Sequence, residues 1–318
     1  MYDVVVCCKP YGGPGAVGHF PNVRGFYLAK YLVRTGLKVA FSTYPCSKLT
    51  SRVLICSDYE GGADWLEGFL PELLAVEAER LYCMADASLR GRDHEAEPMH
   101  EWFKARGGVL LHLSWNSAGT YEHATGLGVD TEVVRYDPEE IRNVIVFDFP
   151  SSQRVQSWEN FRPELLWKLR DALPNCRFVG SGPRAAPIKE RFDAWVPYGE
   201  QHSSYVRVFK GCAAFVPGRP ESMGLTAAEA QISGACIVCP RGYIHDELIC
   251  PAANKVYRGV YPGSRRDKSF IRALGERSFI RALQASLTQD PKEIVRQASI
   301  KFDAIGWAWR VRRAIGLA

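Results

Sequence analysis

The residues best suited to chemistry lie in one short stretch, Pro220 to Ala230, with the sequence PESMGLTAAEA. It follows an apolar run, GCAAFVP (211–217), and opens a helix-like run, GLTAAEAQISG (224–234). A glycine at the entry, Gly224, lets a ligand approach the backbone closely. The free amides of the first helical turn then favour an anion such as a diphosphate. Glu229, further along the helix, can accept hydrogen bonds from ribose hydroxyls, as acidic residues do in other Rossmann-type sites. Glu221 stands before the helix, near where a sugar carried by that diphosphate would project. The competing reading is an ordinary amphipathic helix with a glycine entry and a solvated glutamate.

Other candidate groups carry weaker chemistry. Cys236 and Cys239 form a C-x-x-C, but ACIVCP has the texture of a buried strand, whose alternation points the two thiols to opposite faces. His94 and His100 flank acidic residues in RDHEAEPMH without metal-ligand spacing, and read as a polar connection. No D-x-D occurs, so a metal-held diphosphate is not expected, and arginine and helix amides would have to do that work. No cofactor and no metal are expected.

The elements that must position these groups alternate strand and helix, which argues for parallel sheets covered on both faces. VVVCC (4–8) reads as the first strand. A glycine-rich turn and the helix VRGFYLAKYLVRTG follow, ending at Gly36 before the strand LKVAFST. The strand RVLICS, a helix from about Trp65 to Ala78, RLYCMAD, the helix PMHEWFKARG and VLLHLS continue this series to about residue 116. A second series starts at NVIVFDFP (143–150), after the charged segment RYDPEEIR. The expected fold class is α/β, with two Rossmann-like domains facing across a cleft. The expected domains are 1–142 for the acceptor, 143–300 for the donor, and a C-terminal helix over 301–318 packing back on the first domain. The repeated SFIRAL at 269–274 and 278–283 would face opposite sides of one continuous helix, so a break is expected near Gly275. SIKFDAIGWAWRVRRAIG reads as one helix with a basic, solvated end.

Composition bounds the rest. The chain has 318 residues, enough for two ordinary domains, and at 47% hydrophobic and 24% charged it is globular, which excludes a disordered or collagen-like chain. The N-terminus reads as a strand with no leader, and no run of 18 uncharged apolar residues occurs, so the expected location is cytoplasmic. Peripheral membrane contact stays open. The ten cysteines read as buried hydrophobes or free thiols. A net charge of +5 suits anionic ligands without choosing among them.

At this point the chain resembles the retaining glycosyltransferases of the GT-B fold, particularly the large family with two glutamates separated by seven residues. Here those are Glu221 and Glu229, with Gly224 between them. FVGSGP (178–183) looks like the family's strand and glycine turn near the nucleotide base, and WVPYGEQHSSYVRVFKGCAAFVPGRPESMGL has the family's order of elements. YGGPGAVGHFPNVRGFYLAKYLVRTG looks like its first loop and helix, and VLLHLSW like the strand that delivers a histidine.

The resemblance implies that Glu229 binds ribose, that Glu221 contacts the donor sugar, and that the backbone at Met223, Gly224, Leu225 and Thr226 holds the diphosphate. It implies donor contacts for Gly180, Gly182 and Tyr198, an approach by Gly12 and Gly13 from the other domain, and a sugar contact for His112, which otherwise reads as a core histidine. It also implies a front-face reaction with retention. The family's arginine has a counterpart in Arg154, but the lysine that usually follows is missing. The next lysine is Lys168, deep in a helix, which leaves Arg162 or the other domain to supply the second charge.

The implied partners are a nucleotide-sugar donor and a saccharide, lipid or small-molecule acceptor. Alternatives are a viral-type DNA glycosyltransferase acting on a hydroxymethylated base, a sugar-nucleotide epimerase, and a nucleotide-sugar-binding module without turnover. The DNA alternative draws on the clusters Arg90/Arg92, Arg265/Arg266/Lys268 and Arg310/Arg312/Arg313.

Overall fold

A computed structural model of the chain describes residues 1–8, 20–42, 49–57, 76–85, 105–113, 123–149, 163–182, 186, 188–197, 202–217, 224–240, 248–257 and 269–317. These residues form two units, Met1–Asp130 with Phe302–Ala318, and Thr131–Lys301.

In the first unit, β1 (Tyr2–Cys7), β2 (Val39–Ser42), β3 (Thr50–Cys56), β4 (Glu77–Ala85) and β5 (Val109–His112) form one sheet. Its order is β2-β1-β3-β4-β5, and every pairing is parallel. Strands buried on both faces need near-continuous apolar runs, and Val4, Val5, Val6 and Cys7 are accordingly all fully buried. Helix α1 (Phe20–Arg34) turns Leu28 and Leu32 inward and ends at Gly36, whose φ of 89° a side chain would resist. The expected helix up to Ala78 overran into β4, which already begins at Glu77.

In the second unit the strands are β6 (Val144–Asp148), β7 (Arg177–Gly182), β8 (Ala194–Pro197), β9 (Cys212–Val216), β10 (Cys236–Pro240) and β11 (Asn254–Tyr257). All are parallel, in the order β11-β10-β9-β6-β7-β8. Counted within the unit, this is the 3-2-1-4-5-6 order of a dinucleotide-binding sheet, and the order reverses between β6 and β9. The helices are α2 (Pro163–Ala172), α3 (His202–Tyr205), α4 (Leu225–Ile232), α5 (Ser269–Leu287) and α6 (Pro291–Lys301). Phe147, Phe178, Phe192 and Phe279 meet in the core between β6, β7 and α5.

The structure departs from the sequence expectations in three places. The unit boundary falls at Asp130/Thr131 rather than at 142/143. Residues 131–142 side with the second unit because Arg142 reaches into it, donating to the carbonyls of Ala213, Gly234, Ser286 and Gln289. Tyr136 also packs against Gly234. Second, α5 runs unbroken through Gly275, which is buried on the same stripe as Phe279, Leu283 and Ser286. A missing side chain is tolerated on a buried stripe where it allows close approach.

Third, the segment 299–316 is two helices. Asp303 caps α7 (Ala304–Ala314), its carboxylate accepting from the amides of Ile305 and Gly306. Helix α7 packs on α1 in the first unit. Its basic end is not simply solvated: Arg310 donates to the Thr125 carbonyl, and Arg312 to those of Thr35 and Leu317.

Candidate functional site

Helix α4 follows β9, one of the two strands at which the sheet order reverses. Its N-cap is Gly224, at φ 52° and ψ 47°. This left-handed conformation costs an ordinary residue about 1–2 kcal/mol, and it explains why a glycine opens the helix. Ala227, Ala228 and Ala230 are buried, so the helix lies close to its surroundings through small side chains. Leu225 and Thr226 form its first turn.

Glu229 comes one turn later and is 0% exposed. One carboxylate oxygen, Oε1, lies 2.7 Å from Nε2 of His202, itself buried at the start of α3. The other, Oε2, is buried without a hydrogen-bond partner among the described residues. Leaving a buried carboxylate oxygen unsatisfied costs about 1–3 kcal/mol or more, unless a ligand supplies the donor. Two residues on, Gln231 is fully engaged. Its Nε2 donates to the carbonyls of Ala227 and Leu248, and its Oε1 accepts from the Cys250 amide at 2.7 Å. The open hydrogen-bonding capacity therefore belongs to Glu229.

A second buried polar set closes the carboxyl ends of β6 and β7. Ser181 donates to Asp148 Oδ1 at 3.2 Å and also pairs with the Tyr205 hydroxyl at 3.3 Å. Tyr205 lies three residues after His202, so α3 directs one side chain to Glu229 and another to the strand ends.

Gly180 and Gly182 lie on β7, and the ring of Trp195 occupies the space a side chain on either would need. Trp195 in turn stacks on Phe149, with ring centroids 5.8 Å apart. On this face the two glycines therefore admit an indole. His112 is the last residue of β5, paired in register with Ala85, and belongs to the unit that does not contain α4. Gly12, Gly13, Arg154, Arg162, Tyr198, Glu221 and Met223 lie outside the described residues, as do His94 and His100. Lys168 is on α2, with its Nζ 2.6 Å from Glu276 Oε2 on α5.

The structure brings His202, Asp148, Ser181 and Tyr205 into prominence, none of which was singled out in the sequence. The signal for His202 was faint: a lone histidine in the polar connector GEQHSSY, 27 residues from its partner. Cys236 and Cys239 are both buried on β10, and burial pushes the Cys236 thiol above its usual range and Cys212 up to about 12. Among the described residues no cluster of His, Cys, Asp and Glu could hold a metal ion. No helix among them is long and apolar enough to cross a membrane.

No protein-family model matches the chain, and no similar curated protein sequence was found. Solved structures do match. HepE of Anabaena, in complex with UDP-glucose, is similar over 100% of both chains with TM-score 0.58 at 11% identity. WaaG, a glycosyltransferase involved in lipopolysaccharide biosynthesis, is similar over 99% of this chain and 95% of its own, with TM-score 0.53 at 12% identity. A Listeria monocytogenes protein assigned as a UDP-N-acetylglucosamine 2-epimerase is similar over 99% and 96%, with TM-score 0.54 at 9% identity. The chain spans about half, 54%, of the length of TarM, which it also matches. At these identities the likeness is one of fold, and the fold is the two-Rossmann GT-B class.

Proposed function

We propose that the protein transfers a sugar from a nucleoside diphosphate sugar to an acceptor, with retention of configuration and without a metal ion. The observation that carries this reading is the buried carboxylate of Glu229, with one oxygen held and one open, on a helix entered through a left-handed glycine. A ribose hydroxyl would donate to Oε2, and the first amides of α4 would face the diphosphate. Glu221 would contact the donor sugar and Arg154 the departing diphosphate.

In the reaction the bond from the anomeric carbon to the β-phosphate oxygen breaks. The acceptor hydroxyl attacks from the same face and passes its proton to the leaving phosphate. The protein contributes position and charge stabilisation rather than a nucleophile. Metal independence rests on the absent D-x-D and on the cationic groups expected around the diphosphate.

The experiment is a thermal-shift titration with UDP, UDP-glucose and UDP-N-acetylglucosamine, followed by assays of UDP release with saccharide, lipid and hydroxymethylated-DNA acceptors. A bound donor raises the melting temperature with concentration. No shift with any nucleotide sugar would remove the reading.

A rival on the same fold is epimerisation of the sugar nucleotide. Conversion of the donor sugar without any acceptor would support it, and UDP release that requires an acceptor would exclude it. The DNA acceptor is decided by the same assay, in which UDP release on hydroxymethylated DNA alone would assign it.

A further inference from the structure

We infer that His202 is a positioning residue for the donor's ribose: by holding Oε1 of Glu229, its imidazole aims Oε2 at a ribose hydroxyl. The inference rests on the assignment of Glu229 to ribose and adds the residue that makes that carboxylate selective.

The terminal torsion of a glutamate is broad, so a carboxylate fixed at neither oxygen samples many planes. Here one oxygen is fixed by a 2.7 Å contact with His202, and both partners are buried. An ionised carboxylate only accepts, and in that state Nε2 carries the hydrogen of the pair. With Oε1 held, the direction of Oε2 follows from the geometry of the group, and Oε2 is the oxygen left without a partner.

His202 is itself well placed to impose direction. It opens α3, and three residues later the Tyr205 hydroxyl engages Ser181, which donates to Asp148. The short helix is thereby tied to the ends of β6 and β7. A ribose held by Glu229 would thus be registered against the ends of β6 and β7.

The test compares UDP with 2′,3′-dideoxy-UDP by calorimetry on the full chain, in wild type, H202A, H202Q and E229Q. Wild type should prefer UDP by about tenfold or more, the usual consequence of hydrogen bonds to a charged group. H202A should lose most of that preference while its affinity for the dideoxy nucleotide changes little. H202Q, whose amide can still donate to Oε1, should restore much of it. A purely structural role for His202 would weaken both ligands together and leave their ratio unchanged, which would overturn the inference. If H202A does not fold, H202N, too short to reach Oε1, carries the same expectation. Loss of preference in E229Q with full preference in H202A would sink the role of His202 alone. Full preference in E229Q, or none in wild type, would sink the ribose assignment of Glu229 and this inference with it.

Discussion

Replacing Glu229 by glutamine should cost donor binding more than it costs stability. Among the described residues of the free protein Oε1 pairs with His202 and Oε2 with none, although the whole side chain is buried. Glutamine keeps an oxygen to accept from Nε2, and its NH2 group takes the place of the unpaired oxygen, exchanging one unsatisfied buried group for another, so unliganded stability should change by no more than about 1 kcal/mol. Binding should suffer, because a ribose hydroxyl would meet a neutral amide in place of a carboxylate. That is a loss of about 1.5–3 kcal/mol, or roughly 10- to 150-fold in Kd. At a UDP concentration near 100 times the wild-type Kd, ligand stabilisation is about 2.7 kcal/mol. A tenfold weaker variant at the same concentration would gain only about 1.4 kcal/mol. Urea unfolding with and without UDP reads both quantities in one experiment. A variant that is destabilised when free yet gains as much from UDP as wild type would refute the reasoning, and Glu229 would be a structural residue.

Other consequences are independent of ligand. Gly180→Ala drives a methyl group into the Trp195 ring and should cost about 1–3 kcal/mol in chemical denaturation. Gly107→Ala has nothing within 4 Å and only its φ of +68° to resist it, so it should cost at most about 1–2 kcal/mol. Burial pulls the Asp193 carboxyl upward but is outweighed by the Phe178 amide and Arg170, which leave it below its ordinary value. A carboxyl lowered by folding stabilises above its unfolded pKa and loses that contribution as pH falls through the folded one, so Asp193→Asn should flatten the stability profile below about pH 4. Burial raises the Cys212 thiol to about 12 and that of Cys250 to about 11, so at pH 8 iodoacetamide should label neither until the protein unfolds, as peptide mass spectrometry would show.

Local signals carried much of the fold. Apolar, β-branched runs such as VVVC and CAAFV are legible as buried strands because parallel sheets demand them. The glycine at 224 is legible because few residues tolerate the conformation its helix entry requires. Long-range partners were not legible. Gly275 suggested a break because glycine disfavours helices, but burial on the α5 stripe overrode local propensity. Asp303 could have been read as a cap, yet the aromatic and basic residues after it drew attention to a single helix. The role of Arg142 depends on carbonyls far along the chain, and no spacing announces it. The same holds for His202, whose partner Glu229 is reached only through the order of strands.

The pairing of Lys168 also bears on the leaving group. A departing nucleoside diphosphate needs more positive charge than one helix terminus provides, since a terminus is equivalent to about half a unit charge. Lys168 cannot make up the difference from its present place, because its ammonium is committed to Glu276 on α5, 2.6 Å away. On the proposed reading the charge falls to Arg154. Interactions that strengthen as the diphosphate leaves should appear in kcat more than in donor affinity. Arg154→Ala should then lower kcat by about 10²–10³-fold, the usual effect of removing one such stabilising donor, and change UDP affinity far less. Lys168→Ala should leave both within about twofold, since Lys168 pairs with Glu276 and an exposed ion pair contributes at most about 1 kcal/mol to stability. Steady-state kinetics with UDP-glucose, alongside calorimetry with UDP, separates the two. If Lys168→Ala lowered kcat as much as Arg154→Ala, Lys168 would have to leave Glu276 during turnover, and the charge on the leaving group would not fall to Arg154 alone.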